Sequence, residues 1–217
     1  MKIACLHTAD SNIAVFETAA ASLGLPPGAL RHTVRTDLAA AAERAGRMTP
    51  AISAEASAAL EALAAEADAV LLTCSTLGPA VTDAGARTHV PVLRVDAALA
   101  DKAVKGGGRV VVLCAVETTL EPTRRLFAAA AAKTGADIDI RLVDGAWARF
   151  KAGDSEGYFA AIAAAASAAR EPGVAAVALA QASMAGAADK VAGDPKPLTS
   201  PAAGLASALE MAARRAD

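Results

Sequence analysis

Short apolar runs recur along the chain, separated by longer stretches in which apolar positions follow a helical spacing. Short runs bounded by turn-forming residues are typical of strands buried in a parallel sheet. Six of them predict strands, at Ile3–Leu6, Ala69–Leu72, Pro91–Val95, Arg109–Leu113, Ile138–Val143 and Val174–Leu179.

The intervening segments predict helices. Asp10 or Ser11 is suited to cap the first helix, which extends to Leu23 and stops at Gly24. The other predicted helices are Thr36–Arg47, Ser53–Glu66, Ala97–Val104, Thr118–Lys133, Asp154–Arg170, Ser183–Val191 and Ser200–Arg215, with a short helix in the loop after Cys74. Strands that alternate with helices predict an α/β fold, in which helices cover both faces of a parallel sheet.

The two halves of the chain repeat each other at a distance of 107 residues. Residues 2–6 align with 109–113, residues 10–12 with 117–119, and residues 70–74 with 177–181. Three strand-to-loop junctions in one register predict two pseudo-symmetric α/β halves that face each other across a cleft. The first half is 1–105, with the C-terminal helix at 200–217 packing back on it, and the second is 106–199.

Ligands bind beyond the carboxyl ends of the strands in open parallel sheets. Here those ends carry mostly small polar side chains, which we expect to bind the substrate. They are Asp10, Ser11, Asn12, Ser75, Thr76, Thr118, Thr119, Ala182 and Ser183. The acidic and hydroxyl residues among them are also ordinary helix caps, an interpretation that is compatible with ligand binding.

Cys74 is the residue best suited to chemistry. It follows a buried strand and lies between Thr73 and the pair Ser75-Thr76. Hydroxyls and open backbone N–H groups around a thiol favour the reactive thiolate form. By contrast, Cys5 lies inside a strand, where cysteine is usually a small buried hydrophobe.

His7 and Cys114 occupy equivalent strand ends, because 114 − 7 = 107. Each is either structural or a second group able to carry a proton.

Composition and charge exclude several classes of protein. The net charge is −2 and no long run of one sign occurs, so neither a nucleic-acid footprint nor a membrane-surface helix is expected. No apolar run is long enough to span a bilayer, and the N-terminus opens on a strand pattern and not on that of a signal peptide. Three cysteines without paired spacing favour a reducing compartment, so we expect a cytoplasmic protein.

No metal or nucleotide cofactor is predicted. His7, His32 and His89 show no close spacing with the cysteines that indicates a ligand set, and His32 and His89 receive no role. The glycines at 106–108 precede a strand, whereas a phosphate-binding loop follows one.

These motifs resemble the aspartate/glutamate/hydantoin racemase superfamily over nearly the whole chain. The resemblance rests on Leu72–Thr76 (LTCST), Glu117–Glu121 (ETTLE), Leu179–Met184 (LAQASM) and Asp10-Ser11, which is similar to the Asp-Ser pair of glutamate racemases. It implies two pseudo-symmetric halves, a small carboxylate or cyclic amide substrate, and no cofactor. Members use two cysteines on opposite faces of the substrate carbon, one removing a proton and the other delivering one. Such α/β proteins often form two-fold dimers, so a homodimer or a higher homo-oligomer is compatible.

Gln181 stands where the resemblance places the second cysteine, and a carboxamide is not a proton carrier near neutral pH. Three hypotheses follow. The first is a racemase or epimerase that uses Cys74 and recruits His7 or Cys114 for the second side. The second is a single-cysteine decarboxylase or cis-trans isomerase. The third is a small-carboxylate-binding protein without catalysis.

The first hypothesis predicts that Gln181→Cys creates or increases racemisation of a suitable substrate. A correctly placed acid–base group contributes about 10²–10⁴-fold to rate, so a restored thiol should be detectable by chiral chromatography. Gln181→Ser, which adds no thiol, serves as the control and should show no gain. An equal gain in both variants would contradict the two-thiol interpretation.

Overall fold

The computed structural model describes residues 1–216, and the chain divides into two compact units. The first unit comprises Met1–Val95 and the chain from Gly204 onward, and the second comprises Asp96–Ala203. The boundary in the sequence prediction lies after residue 105. The predicted C-terminal helix runs to 217, a residue outside those described.

The first unit contains a four-stranded parallel sheet. Its elements are β1 (Ile3–His7), α1 (Ser11–Ser22), β2 (Leu30–Val34), α2 (Thr36–Arg44), α3 (Pro50–Ala64), β3 (Ala69–Leu72), α4 (Ala80–Arg87) and β4 (Val92–Arg94). The strand order is β2-β1-β3-β4, and every pairing is parallel. All four strands therefore end at the same edge of the sheet, which places the loops after β1 and β3 side by side.

Successive side chains of β1 point to opposite faces of this sheet. Ala4 and Leu6 belong to a core that includes Leu38 of α2 and Leu60 of α3. Cys5 and His7 lie on the other face, where the His7 ring meets Phe16 of α1 with ring centroids 5.2 Å apart. Helices therefore pack on both faces.

The second unit repeats this arrangement. Its elements are α5 (Val95–Val104), β5 (Arg109–Cys114), α6 (Leu120–Ala131), β6 (Asp137–Leu142), α7 (Ala146–Lys151), α8 (Ser155–Ala168), β7 (Val174–Leu179), β8 (Leu198–Thr199) and α9 (Ser200–Ala216), of which α5 and α9 cross the unit boundary. The sheet order is β6-β5-β7-β8, again all parallel. Val111 and Leu113 pack with α8, whereas Val110 and Val112 pack with α5 and α6.

Both units thus confirm the predicted α/β class, but several local predictions are wrong. The sequence prediction has no strand at Leu30–Val34. Its helix at Ser183–Val191 is a 3₁₀ segment at Ala182–Ala187, and its helix from Thr118 begins as 3₁₀ at Glu117–Thr119. Asp10 precedes α1 but makes no side-chain capping bond, because its backbone is already helical.

Among residues 1–216, no helix combines the length and apolar character needed to cross a membrane.

The core of the first unit predicts a large effect of Leu60→Ala. The Leu60 side chain is fully buried between α3 and the sheet, so its truncation removes apolar contacts and leaves a cavity. We expect a loss of about 2–5 kcal/mol in the free energy of unfolding, measured by urea titration. Ala58→Ser on the exposed face of the same helix is the control and should cost about 0.5 kcal/mol. Equal losses in both variants would contradict the packing described.

Candidate active site

In each unit, the backbone just after one central strand is hydrogen-bonded to the end of the other: the residue after β3 bonds to β1, and the residue after β7 bonds to β5. The Thr73 amide donates to the Leu6 carbonyl at 3.1 Å, and the Ala180 amide donates to the Leu113 carbonyl at 2.9 Å. These bonds are related by the 107-residue shift. Cys74 and Gln181 come one residue later, each at the carboxyl edge of its own sheet.

Cys74 is half-buried, and it packs partly against the core of the first unit. Ser75 and Thr76, which follow it, are exposed. The thiol therefore lies where the buried strand gives way to a solvent-facing loop. Two hydroxyls stand beside it in the chain.

The same loop is in contact with Arg94, at the end of β4. Gly78 approaches the guanidinium so closely that a Cβ on this glycine would collide with Arg94 Cζ. Arg94 brings a permanent positive charge to the Cys74 loop. Sequence reasoning missed it, although its position at a strand end was a usable signal.

A chain of hydrogen bonds leads from Thr73 into the sheet. Thr73 Oγ1 is 2.9 Å from His7 Nδ1, and His7 Nε2 is 2.8 Å from His32 Nδ1. His32 Nε2 is 2.9 Å from Glu17 Oε1. Asn12 Nδ2 also donates to Thr73 Oγ1, at 3.5 Å. Thr73, the residue preceding Cys74, is thereby bonded directly to His7 and Asn12 and, through His7, linked to His32 and Glu17. The last two have no predicted role.

His7 is fully buried, and burial lowers its pKa to about 4, with His32 beside it adding to the effect. A neutral imidazole has one N–H and one lone pair. If the Thr73 hydroxyl donates to His7, then His7 donates to His32 and His32 donates to Glu17. If the hydroxyl instead donates to the Leu6 carbonyl, at 3.1 Å, His7 must donate to Thr73. The network therefore has two proton arrangements.

The structure brings together one cysteine and two histidines whose spacing along the chain does not indicate a ligand set. Cys5 Sγ and ring nitrogens of His7 and His32 all lie within 4.8 Å of one another. The cause is the strand pairing, because Cys5 and His32 are register partners and His7 lies two residues after Cys5 on the same face. Spacing along the chain could not show this, since β2 was not predicted.

Of the predicted substrate-binding residues at the start of α1, Asn12 bonds to this network. Asp10, which precedes the helix, and Ser11, its first residue, are exposed. They follow β1, at the same sheet edge as Cys74.

At the carboxyl edge of the second sheet, the Gln181 amide is engaged at both ends. Its Oε1 accepts from the Ala115 amide at 2.7 Å, and its Nε2 donates to Thr119 Oγ1 at 3.0 Å. Thr119 Oγ1 donates in turn to the Val116 carbonyl at 2.6 Å. Gln181 thus joins the loop after β7 to the loop after β5, while Thr118 is exposed beside it.

Cys114 and Ser183 also have internal partners. Cys114 is fully buried, and burial raises the pKa of its thiol against the opposing effect of hydrogen bonds from Thr123, Gln181 and Thr119. Ser183 Oγ lies 2.9 Å from the hydroxyl of the buried Tyr158, and the neighbouring Ala182 is half-buried. Three of the predicted site residues of the second unit, Gln181, Thr119 and Ser183, therefore bond within that unit.

A surface hollow of about 500 Å³ lies elsewhere, at the amino ends of β1 and β2. It is lined by Lys2, Gly28, Ala29, Arg31, Glu66 and Ala67. The polar groups with chemistry are at the opposite, carboxyl edge of the sheet, and we place the candidate site there.

Residues 8–209 match the family model described as Asp/Glu/Hydantoin racemase. The chain belongs to this family. No curated protein matches it significantly. The match confirms the family resemblance of the sequence motifs.

Solved structures of two racemases and of a decarboxylase mutant have a similar fold. Aspartate racemase from Picrophilus torridus is 14% identical with a TM-score of 0.69, covering 98% of this chain and 95% of its own. Allantoin racemase from Pseudomonas fluorescens is 18% identical with a TM-score of 0.67, covering 99% and 92%. A liganded double mutant of arylmalonate decarboxylase is 16% identical with a TM-score of 0.58, covering 97% and 92%. The fold is therefore shared by racemases and a decarboxylase.

The burial of the three cysteines predicts selective alkylation. All three are free, but Cys5 and Cys114 are fully buried, and burial raises the pKa of Cys5 to about 12. We expect iodoacetamide at pH 7 to label the folded protein once, at Cys74, as measured by peptide mass spectrometry. Cys74→Ser should remain unlabelled until it is denatured. Labelling of Cys5 or Cys114 at a similar rate in the folded state would contradict the burial described.

Proposed function

We propose that the protein is an enzyme that moves a proton at a carbon next to a carboxylate or a cyclic amide carbonyl, with Cys74 as the acid or base. The observation that carries this proposal is the position of Cys74. It is the half-buried thiol, at the carboxyl edge of a parallel sheet, whereas Cys5 and Cys114 are sealed in the core.

Groups around Cys74 are suited to hold the substrate. The hydroxyls of Ser75 and Thr76 and the N–H groups of their loop offer donors to a carboxylate or to an enolate oxygen. Arg94 supplies positive charge at the same loop. Negative charge that develops on the substrate when its α-proton is lost is thereby stabilised, and the acidity of that carbon increases. No cofactor is needed for this step, because the thiol carries the proton.

The buried hydrogen bonds at Thr73 restrain the start of the Cys74 loop from the side of the sheet. Thr73 is fixed by His7, Asn12 and the Leu6 carbonyl, so the backbone that presents Cys74 is restrained on the sheet side. A proton-transfer group loses rate when its position shifts by even 1 Å. We assign Thr73 and His7 a positioning role, because the thiol and the loop hydroxyls are the groups available to the substrate.

Proton transfer by one thiol favours a decarboxylase as the second candidate. The Gln181 carboxamide is neither an acid nor a base near neutral pH, and both ends of its amide are already bonded within its own unit. Loss of carbon dioxide from a malonate-type substrate leaves an enolate that a single thiol can protonate from one face. The fold is also that of the arylmalonate decarboxylase mutant. A cis-trans isomerase with Cys74 as nucleophile uses the same single thiol.

The proposal predicts hydrogen exchange that depends on Cys74. Incubated in heavy water with a panel of amino acids, hydantoins and aryl malonates, the protein should introduce deuterium at the α-carbon of at least one compound, detected by NMR. Cys74→Ser should lower the rate by at least about 10²-fold, because serine is a far weaker acid and base at neutral pH. Cys114→Ala, which removes a sealed thiol, is the control and should retain the exchange.

The products separate the two candidates. Both enantiomers from either one indicate a racemase, and carbon dioxide with a single enantiomer indicates a decarboxylase. The absence of exchange and of carbon dioxide release over the whole panel, with thermal stabilisation by a carboxylate that Cys74→Ser leaves unchanged, would indicate a binding protein and overturn the proposal.

A further inference from the structure

The cluster of Cys5, His7 and His32 lies on the face of the first sheet that α1 covers. It is distinct from the thiol of the Cys74 loop, and the proposed reaction does not use Cys5. Its three ligand atoms converge from two hydrogen-bonded strands, so the backbone fixes their arrangement. Thiolate and imidazole are the ligand types that borderline-soft ions such as Zn²⁺ prefer.

The outward-facing nitrogens of both histidines already have partners. His7 Nδ1 faces Thr73 Oγ1 at 2.9 Å, and His32 Nε2 faces the Glu17 carboxylate at 2.9 Å. Metal-binding histidines typically donate their second N–H to a carboxylate, a carbonyl oxygen or another oxygen acceptor, which fixes the tautomer that binds. Glu17 and Thr73 occupy these supporting positions.

The inward-facing nitrogens, His7 Nε2 and His32 Nδ1, approach each other at 2.8 Å. The Glu17 carboxylate only accepts, so His32 Nε2 must carry hydrogen. When Thr73 donates to Leu6, His7 Nδ1 must carry hydrogen as well. Two neutral rings then turn their lone pairs toward each other, a repulsive arrangement that is relieved by a proton or by a cation between them.

From this convergence we propose that Cys5, His7 and His32 form a binding site for one thiophilic divalent cation, of which Zn²⁺ is the type. Bonds of about 2.0–2.1 Å to nitrogen and about 2.3 Å to sulfur require ligand nitrogens about 3.4 Å apart, so the two rings must separate by about half an ångström. The remaining coordination position is left for water. His32, whose side chain is 12% exposed beside the half-exposed Glu17, gives the ion a route in.

The charges of the cluster suit a divalent ion. Cys5 binds as the thiolate and releases its proton to solvent, so a dication with one thiolate and two neutral imidazoles has a net charge of +1. Glu17, bonded to His32, compensates that charge with −1. The bound cluster is therefore neutral overall, which a buried site requires.

Cobalt binding to the chelator-treated full-length protein tests the proposal. We expect one equivalent of Co²⁺ to give a thiolate-to-cobalt charge-transfer band in the near ultraviolet, Zn²⁺ to displace it, and Zn²⁺ to raise the Tm. Cys5→Ser should abolish the band, and His32→Gln should weaken binding at least ten-fold. Glu17→Gln should weaken it by about 10–100-fold through the loss of its support to His32. Circular dichroism establishes that each variant is folded.

Two control variants separate this site from other ligands. Cys74→Ser and His89→Gln remove a half-buried thiol and an exposed imidazole, and both should retain the band and the Tm shift. A band that survives Cys5→Ser but disappears in Cys74→Ser would overturn the proposal. So would a folded wild-type protein that gives neither the band nor the shift, in which case the cluster holds only protons. If Cys5→Ser does not fold, His32→Gln decides, since His32 lies on an edge strand. None of these readouts depends on the proposed enzymatic activity.

Discussion

One hydrogen bond, made in both units, fixes the start of the loop that carries Cys74 in the first unit and Gln181 in the second. The residue that follows β3 or β7 donates its backbone N–H to a carbonyl of the neighbouring strand. Thr73 donates to Leu6 of β1, and Ala180 donates to Leu113 of β5. Because the strands are parallel, this is the last bond between the two central strands at the carboxyl edge of the sheet. It sets the next residue, Cys74 in one unit and Gln181 in the other, at the start of a loop. The fold thus determines where a reactive group stands, and the side chain determines what it does.

The two units use this shared geometry differently. In the first, the polar side chains behind the edge bond with each other, from Thr73 through His7 to His32, and the Cys74 thiol is half-buried at the edge. In the second, Gln181 bonds to Ala115 and Thr119, so its amide stabilises the loops. The 107-residue repeat persists in the backbone, while the equivalent side chains make different contacts.

The sequence predicts the strands that are buried on both faces, because their residues are almost all apolar. β1, β3, β5 and β7 are central strands with nearly continuous apolar runs, and the repeat of their ends singles out Cys74 and Gln181. It does not predict β2, because Arg31, His32 and Thr33 are polar residues on an edge strand that only tertiary contacts bury. The role of His32 depends on its register with Cys5, 27 positions away, and no local pattern contains that information. Arg94 stands at a strand end, which the sequence does indicate, but its proximity to the Cys74 loop is visible only from its contact with Gly78.

The edge of the first sheet and the histidine cluster are coupled through the Thr73 hydroxyl. With protons alone, that hydroxyl can donate to His7, and the series then ends at the Glu17 carboxylate. A cation between His7 and His32 requires both inner nitrogens as lone pairs, so His7 Nδ1 becomes the donor and Thr73 must turn its proton to the Leu6 carbonyl. Occupancy of the cluster would therefore select one of two hydroxyl orientations in the residue that precedes Cys74. One hydrogen bond, between His7 and Thr73, separates the ion-binding ring from the residue whose backbone leads to Cys74, so the ion can alter how that thiol is held.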